Sequence, residues 1–183
     1  MSAPPEPDGL TLALSRFSVL TRRRFLKALG AGGLLVAGSA GWLAALRGCA
    51  PSVARLACLS NQEYRTLAAL AVALFPEGGA FAAGAASRDL ARTFDAYLAD
   101  EDDDRQSDLK RALLLLEYGP LIYDRRAVTF SNLPAEERLA HFESWATSGE
   151  LLRRQIALAF RKFLSLVFYD DETVWAQVGY EVL

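Results

Sequence analysis

Residues 28–46 contain no charged side chain, while Arg22, Arg23, Arg24 and Lys27 crowd the turn just before them. This boundary constrains the chain more than any other feature. A charge-free run of about twenty residues is long enough to cross a hydrocarbon core as a helix. The basic flank keeps its own end in the cytoplasm and directs the chain after Arg47 outward. Gly30, Gly32, Gly33, Gly38 and Gly41 lower the run's hydrophobicity and its helix propensity, which suits a signal better than a permanent span. The glycines at 30–33 do not form a dinucleotide loop, because no strand precedes them and Leu35 stands where the third spaced glycine belongs.

The order of residues at the basic flank is more specific than its charge. Thr21, Arg22, Arg23, Arg24, Phe25, Leu26 and Lys27 resemble the twin-arginine export signal: a Ser or Thr, two arginines, any residue, then Phe-Leu-Lys before a mildly apolar segment. That pathway carries folded cargo, typically cofactor-bound enzymes or the subunits that travel with them. The chain therefore divides into a twin-arginine signal or N-terminal anchor with its linker, residues 1–54, and a body, residues 55–183. Three fates of the leader stay open. Ser52, Val53 and Ala54 suit a signal peptidase cutting before Arg55. Leu46, Arg47, Gly48 and Cys49 resemble a lipoprotein box with a poorly fitting arginine, and an uncut anchor is the third. Cys58 is then a lone thiol or, if Cys49 is retained, a possible disulfide partner for it.

Six of the twenty basic residues but only two of the twenty-two acidic ones precede residue 50. The remainder is acidic by about six charges, which argues against nucleic acid as a partner. Its length suits one domain with one core.

The body reads as helices. Ser60-Asn61-Gln62-Glu63 is a capping box, followed by Tyr64, Leu67, Leu70, Ala71 and Leu74 on one face, and Phe75-Pro76 ends the pattern. A second helix is expected over 86–99, with Leu90, Phe94, Tyr97 and Leu98 inward. The acids at 100–104 lack the alternating ligands and glycine of a calcium loop and read as a solvated connector. A third helix is expected over 108–118, central because its leucines at 113–116 leave no polar face, and a loop of about ten residues should follow Gly119-Pro120. Pro134 is placed as a first helical residue, with Leu139, Phe142, Trp145 and Ala146 on the buried side. The longest helix spans 150–169, with Leu152, Ile156, Phe160, Phe163, Leu164 and Val167 inward. Asp170 and Asp171 cap a last short helix carrying Trp175 and stopped by Gly179. These patterns predict an all-α, orthogonal or bundle-like domain of about five to six helices behind the N-terminal signal helix.

No constellation in the body suggests catalysis. His141 is the single histidine, and Glu137 and Glu143 beside it are spaced as surface residues of its helix, so a metal site or a Ser-His-Asp arrangement lacks its parts. There is no Cys-x-x-Cys-His for covalent haem and no Rossmann fingerprint for FAD.

The C-terminal third resembles the family of gluconate 2-dehydrogenase subunit 3. The likeness rests on Leu133-Pro134 with Glu136-Glu137-Arg138, on Trp145 with Ser148, on Arg153-Arg154, on Phe168-Tyr169, and on Trp175 with Gly179-Tyr180. Residues 60–76 resemble the family's opening helix, and a twin-arginine signal before it is usual there. Residues 78–126 match in outline only, and Phe168 stands where a second tyrosine is common. The resemblance implies a non-catalytic small subunit of a membrane-associated, periplasmic dehydrogenase complex acting on a sugar or alcohol. Its flavin subunit, of the glucose-methanol-choline type, would hold FAD and a multihaem cytochrome c subunit the haem, with no cofactor in this chain. The small subunit would carry the leaderless flavin subunit through the twin-arginine translocon. Aromatics and arginines dominate interface energetics, so Trp145, Arg153, Arg154, Tyr169, Trp175 and Tyr180 are the candidate partner-binding residues. Alternatives are a stand-alone periplasmic helical chaperone, a lipid-anchored binding protein, or a small enzyme using His141 as a base.

Overall fold

The computed structural model describes Val53, residues 55–79 and residues 83–179. The signal motif with Arg22, Arg23, Phe25, Leu26 and Lys27, the expected signal helix, Cys49 and Tyr180 lie outside the described residues. Within them the chain is all α. The helices are α1 (Asn61–Leu74), α2 (Leu90–Ala99), α3 (Asp103–Glu117), α4 (Gly119–Tyr123), α5 (Ala135–Ala146), α6 (Leu151–Tyr169) and α7 (Glu172–Trp175). Short 3-10 turns occur at Phe130–Asn132 and Ala176–Val178. No helix among the described residues is long and apolar enough to cross a membrane.

The capping box starts α1 as its sequence requires. The Ser60 hydroxyl accepts the Glu63 N–H at 3.3 Å, and the Glu63 carboxylate accepts the Ser60 N–H at 2.7 Å. Leu67, Leu70 and Ala71 are buried along the helix, which packs on α2, α3 and α5. The central place expected for the leucine run of α3 therefore belongs to α1. In α3, Leu113, Leu115 and Leu116 are buried but Leu114 faces solvent.

Two helix starts differ from the sequence expectation by a full turn or more. Helix α2 begins at Leu90 rather than Ala86, because the preceding residues turn tightly over the end of α1. The Ala85 N–H donates to the Phe75 carbonyl at 2.9 Å, and a methyl group at Gly84 would lie 2.6 Å from that same oxygen. Asp89 then caps α2 from a left-handed conformation, φ 45°. Helix α3 begins five residues before the expected Asp108. The Asp102 carboxylate accepts the Arg105 N–H at 2.9 Å, and Asp103 and Asp104 occupy the electropositive first turn. Asp102, Asp103 and Asp104 are thus helix start, and only Asp100 and Glu101 remain connector. Similarly, the chain after Glu117 resumes as α4 instead of entering a loop at Gly119-Pro120.

Helix α5 starts one residue later than expected, with Pro134 just outside it. Its buried face comprises His141, Phe142 and Trp145, whereas Leu139, expected inward, is exposed. At 3.6 residues per turn the centre of that face lies about 110° from Leu139, because burial of His141 swings the arc round. Helix α6 buries Ile156, Phe160, Phe163, Leu164 and Val167 against α5 and α2, as the pattern predicts. Tyr97, also expected inward, is exposed, and its hydroxyl donates to Asp170 at 2.6 Å.

Two buried carboxylates pin the connections to the helices. Glu117 accepts the Thr66 hydroxyl at 2.9 Å, the Ser131 N–H at 3.0 Å and the Ser131 hydroxyl at 2.7 Å, which ties the 3-10 turn to α1 and α3. Asp95 on α2 accepts the backbone N–H groups of Ala57, Cys58 and Leu59 at 2.5, 3.0 and 2.7 Å. Burial pushes its pKa up, but the three N–H bonds outweigh that and hold it below the usual carboxylate range.

Candidate functional site

The candidate partner-binding residues separate into two groups along α6. Trp145 belongs to the group near the N-terminus of α6 and is fully buried, its ring meeting Tyr123 edge-on at 5.6 Å. The Arg153 guanidinium lies over the Tyr123 ring, 4.4 Å from its centroid, and 3.5 Å from the Glu150 carboxylate. Arg154 turns back to donate to the Ser148 carbonyl at the end of the preceding loop. Both arginines thus have partners inside the domain. The second group sits roughly 24 Å farther along the helix. There Tyr169 is exposed and the Trp175 indole N–H donates to the Tyr169 carbonyl at 2.7 Å. Phe168 is buried and stacks on Phe75 with centroids 4.4 Å apart.

His141 is buried at 7% exposure, and its Nδ1 lies 2.8 Å from the Asp124 carboxylate after α4. Burial lowers its pKa more than Asp124 raises it, so the neutral ring is favoured, with Nδ1–H donating to Asp124. Its Nε2 has no hydrogen-bond partner among the described residues, and neither has the Trp145 Nε1 one turn on. Both rings press on Gly119: a methyl group there would lie 2.6 Å from Trp145 Cζ2 and 2.8 Å from His141 Nε2. A base must reach a substrate proton. Here the free nitrogen is closed off by the first residue of α4, so the pair acts as a joint between α4 and α5. Sequence reasoning missed both Asp124 and Tyr123, since α4 itself went unread.

Cys58 is a free, half-buried thiol. Burial first, and then the adjacent Asp95 charge, push it up to about 11, so it is a poor nucleophile at neutral pH. No group of three His, Cys, Asp or Glu side chains arranged to hold a metal ion occurs among the described residues.

The outer face of α6 is of a different kind. Leu151, Leu158, Leu166 and Tyr169 are exposed there, and a shallow, largely apolar groove of about 510 Å3 runs past Leu158, Lys162, Leu166 and Tyr169. Arg161 at its rim pairs with Glu143 at 2.7 Å. The other large exposed apolar side chains of the described residues, Tyr97, Leu114, Leu139 and Val178, stand one each on four other elements.

By fold and surface this is a small helical domain with an exposed apolar helix face. Comparison with protein-family models, with curated proteins and with solved structures finds no match to the chain.

Proposed function

We propose that the chain is the small, non-catalytic subunit of an exported FAD-dependent sugar or alcohol dehydrogenase, and that it carries the folded flavin subunit through the twin-arginine translocon into the periplasm. The observation that carries this reading is the complete motif Thr-Arg-Arg-Arg-Phe-Leu-Lys at residues 21–27, set in front of a helical body. The ordered likeness from Leu133 to Tyr180 is what favours this complex over another exported one. An outward apolar face on α6 gives the body something to bind with. FAD sits in the partner and haem in a cytochrome c subunit, while this chain contributes the leader and remains as a membrane-associated structural subunit. Burial of His141 under Gly119 weighs against an enzyme built on that histidine.

The test is recovery of the tagged full-length chain from the periplasmic and membrane fractions of its own cell. A flavoprotein with absorbance near 450 nm should come with it. Replacing Arg22 and Arg23 by Lys should leave both proteins in the cytoplasm. A flavoprotein exported normally beside the substituted leader overturns the carrier role.

A further inference from the structure

We infer that His141 is the catch of an acid-released joint: when its buried Nε2 takes a proton, residues 119–126 lift off α5 and α6 and the Trp145 ring is uncovered. The stretch is weakly tied by its backbone. Among the described residues its backbone hydrogen bonds return to itself or to the end of α3, the Ile122 N–H to Tyr118 and the Asp124 and Arg126 N–H groups to Pro120. Besides the packing of Pro120 and Ile122, four side-chain contacts hold it down. Gly119 lies under the His141 and Trp145 rings, Asp124 meets His141 Nδ1 at 2.8 Å, Arg126 pairs with Glu137 at 2.5 Å, and Tyr123 is clasped between Trp145 and the Arg153 guanidinium. Two of the four meet at His141.

In the closed joint the neutral ring gives its one N–H to Asp124, and the bare Nε2 lies against Gly119 without a partner among the described residues. A proton added there is a donor and a charge together. Neither is tolerated in a buried place without an acceptor. The charged groups facing the ring do not remove that cost. Asp124 favours the imidazolium, but Arg126 after α4 and Arg153 on α6 oppose it. Glu137, one turn earlier on α5, is held by Arg126, Glu117 at the end of α3 is taken up by Thr66 and Ser131, and the 3-10 turn presents the Phe130 ring. Water reaches Nε2 only when Gly119 withdraws, so protonation and opening go together. Burial outweighs Asp124 and keeps the closed ring's pKa below 6.5, whereas the opened ring titrates at its ordinary value. Opening therefore grows as pH falls through 6.5.

Hydrogen exchange on the purified full-length chain, read by mass spectrometry and corrected for the chemical exchange rate at each pH, tests the joint. Between pH 7.5 and 5.5 the opening of peptides covering residues 118–128 should rise severalfold, to at most about tenfold, the limit for a group whose free pKa is about 6.5. Helices α1 and α6 should keep their protection, since the opening is local. His141→Gln should abolish the rise. Gly119→Ala, whose methyl group forces the two rings back, should leave the stretch open already at pH 7.5. A second readout needs no variant: His141 is the single histidine, so its ring-proton resonance titrates alone, with a midpoint below 6.5 that should coincide with the loss of protection. Equal loss of protection in α1 and α6 would make the acid response global unfolding and overturn the joint. A rise that survives His141→Gln, a stretch whose protection ignores pH, a histidine that titrates without any change in exchange, or wild-type protection in Gly119→Ala overturns it as well. None of these results touches the proposed function, because none involves the flavoprotein.

Discussion

Asp95 holds three consecutive backbone N–H groups, at Ala57, Cys58 and Leu59, and no other carboxylate among the described residues is so placed beside a thiol. Asp95→Ala leaves those donors without their acceptor in a buried place, a loss of about 1–3 kcal/mol. The same substitution removes the negative charge beside Cys58, whose pKa of about 11 should fall, so a disulfide reagent should modify the variant faster at pH 8. An unchanged modification rate would mean that burial alone sets the thiol. His141 gives a second prediction at this scale. Its folded pKa lies below the ordinary 6.5, with burial the leading cause, so below that pH the unfolded chain binds a proton that the folded chain resists. The stability that the neutral ring allows is therefore complete above pH 6.5 and declines as pH falls through the folded pKa. Urea midpoints should drop between pH 7.5 and 5.5 in the wild type, and His141→Gln should flatten that slope.

At the scale of elements, what the sequence disclosed was whatever is written locally. The capping box at Ser60 placed the start of α1 to the residue, and the apolar period of α6 named its buried stripe, because both signals involve residues no more than four apart. What it concealed depends on neighbours distant in sequence. Asp89 caps α2 in a left-handed conformation because Gly84 passes close over the end of α1 and the Tyr64 hydroxyl reaches Asp89 at 2.5 Å. No local pattern encodes that crossing. The inward turn of His141 likewise depends on Asp124, seventeen residues earlier, and it displaces Leu139 to the surface. Of the candidate partner-binding residues, Trp145 is closed inside and Tyr169 stands on the surface, a difference that composition does not reveal. The local signals can be tested by their energies. Ser60→Ala should cost about 1 kcal/mol, the usual value of an N-cap, while Lys162→Ala on the exposed side of α6 should change stability by only a few tenths. Thermal melts of the two variants separate the cap from general surface effects.

At the scale of the whole molecule the decisive feature is that no helix pair among the described residues forms a separable unit. Helix α1 touches α2, α3 and α5, and α6 touches α5, α2 and α7, so each half of the chain is bonded across the other. Residues from α1 to α7 accordingly share one continuous core, from Leu67 and Leu70 through Phe94, Leu113 and Phe142 to Phe160. A body wired in this way should unfold in one step, since opening any helix exposes the faces of at least two others. Leu70→Ala and Phe160→Ala both remove fully buried side chains, and each should destabilise by about 2–5 kcal/mol. If the core is single, each variant shifts the whole transition: far-ultraviolet dichroism, reporting helix, and near-ultraviolet dichroism, reporting the packed Trp145 and Tyr123, move together. A variant that shifted one signal and left the other in place would show two cores. Under the proposed function that result would matter beyond stability, because the twin-arginine route accepts folded cargo, and a body that opens piecemeal would expose apolar surface before the proposed partner leaves the cytoplasm.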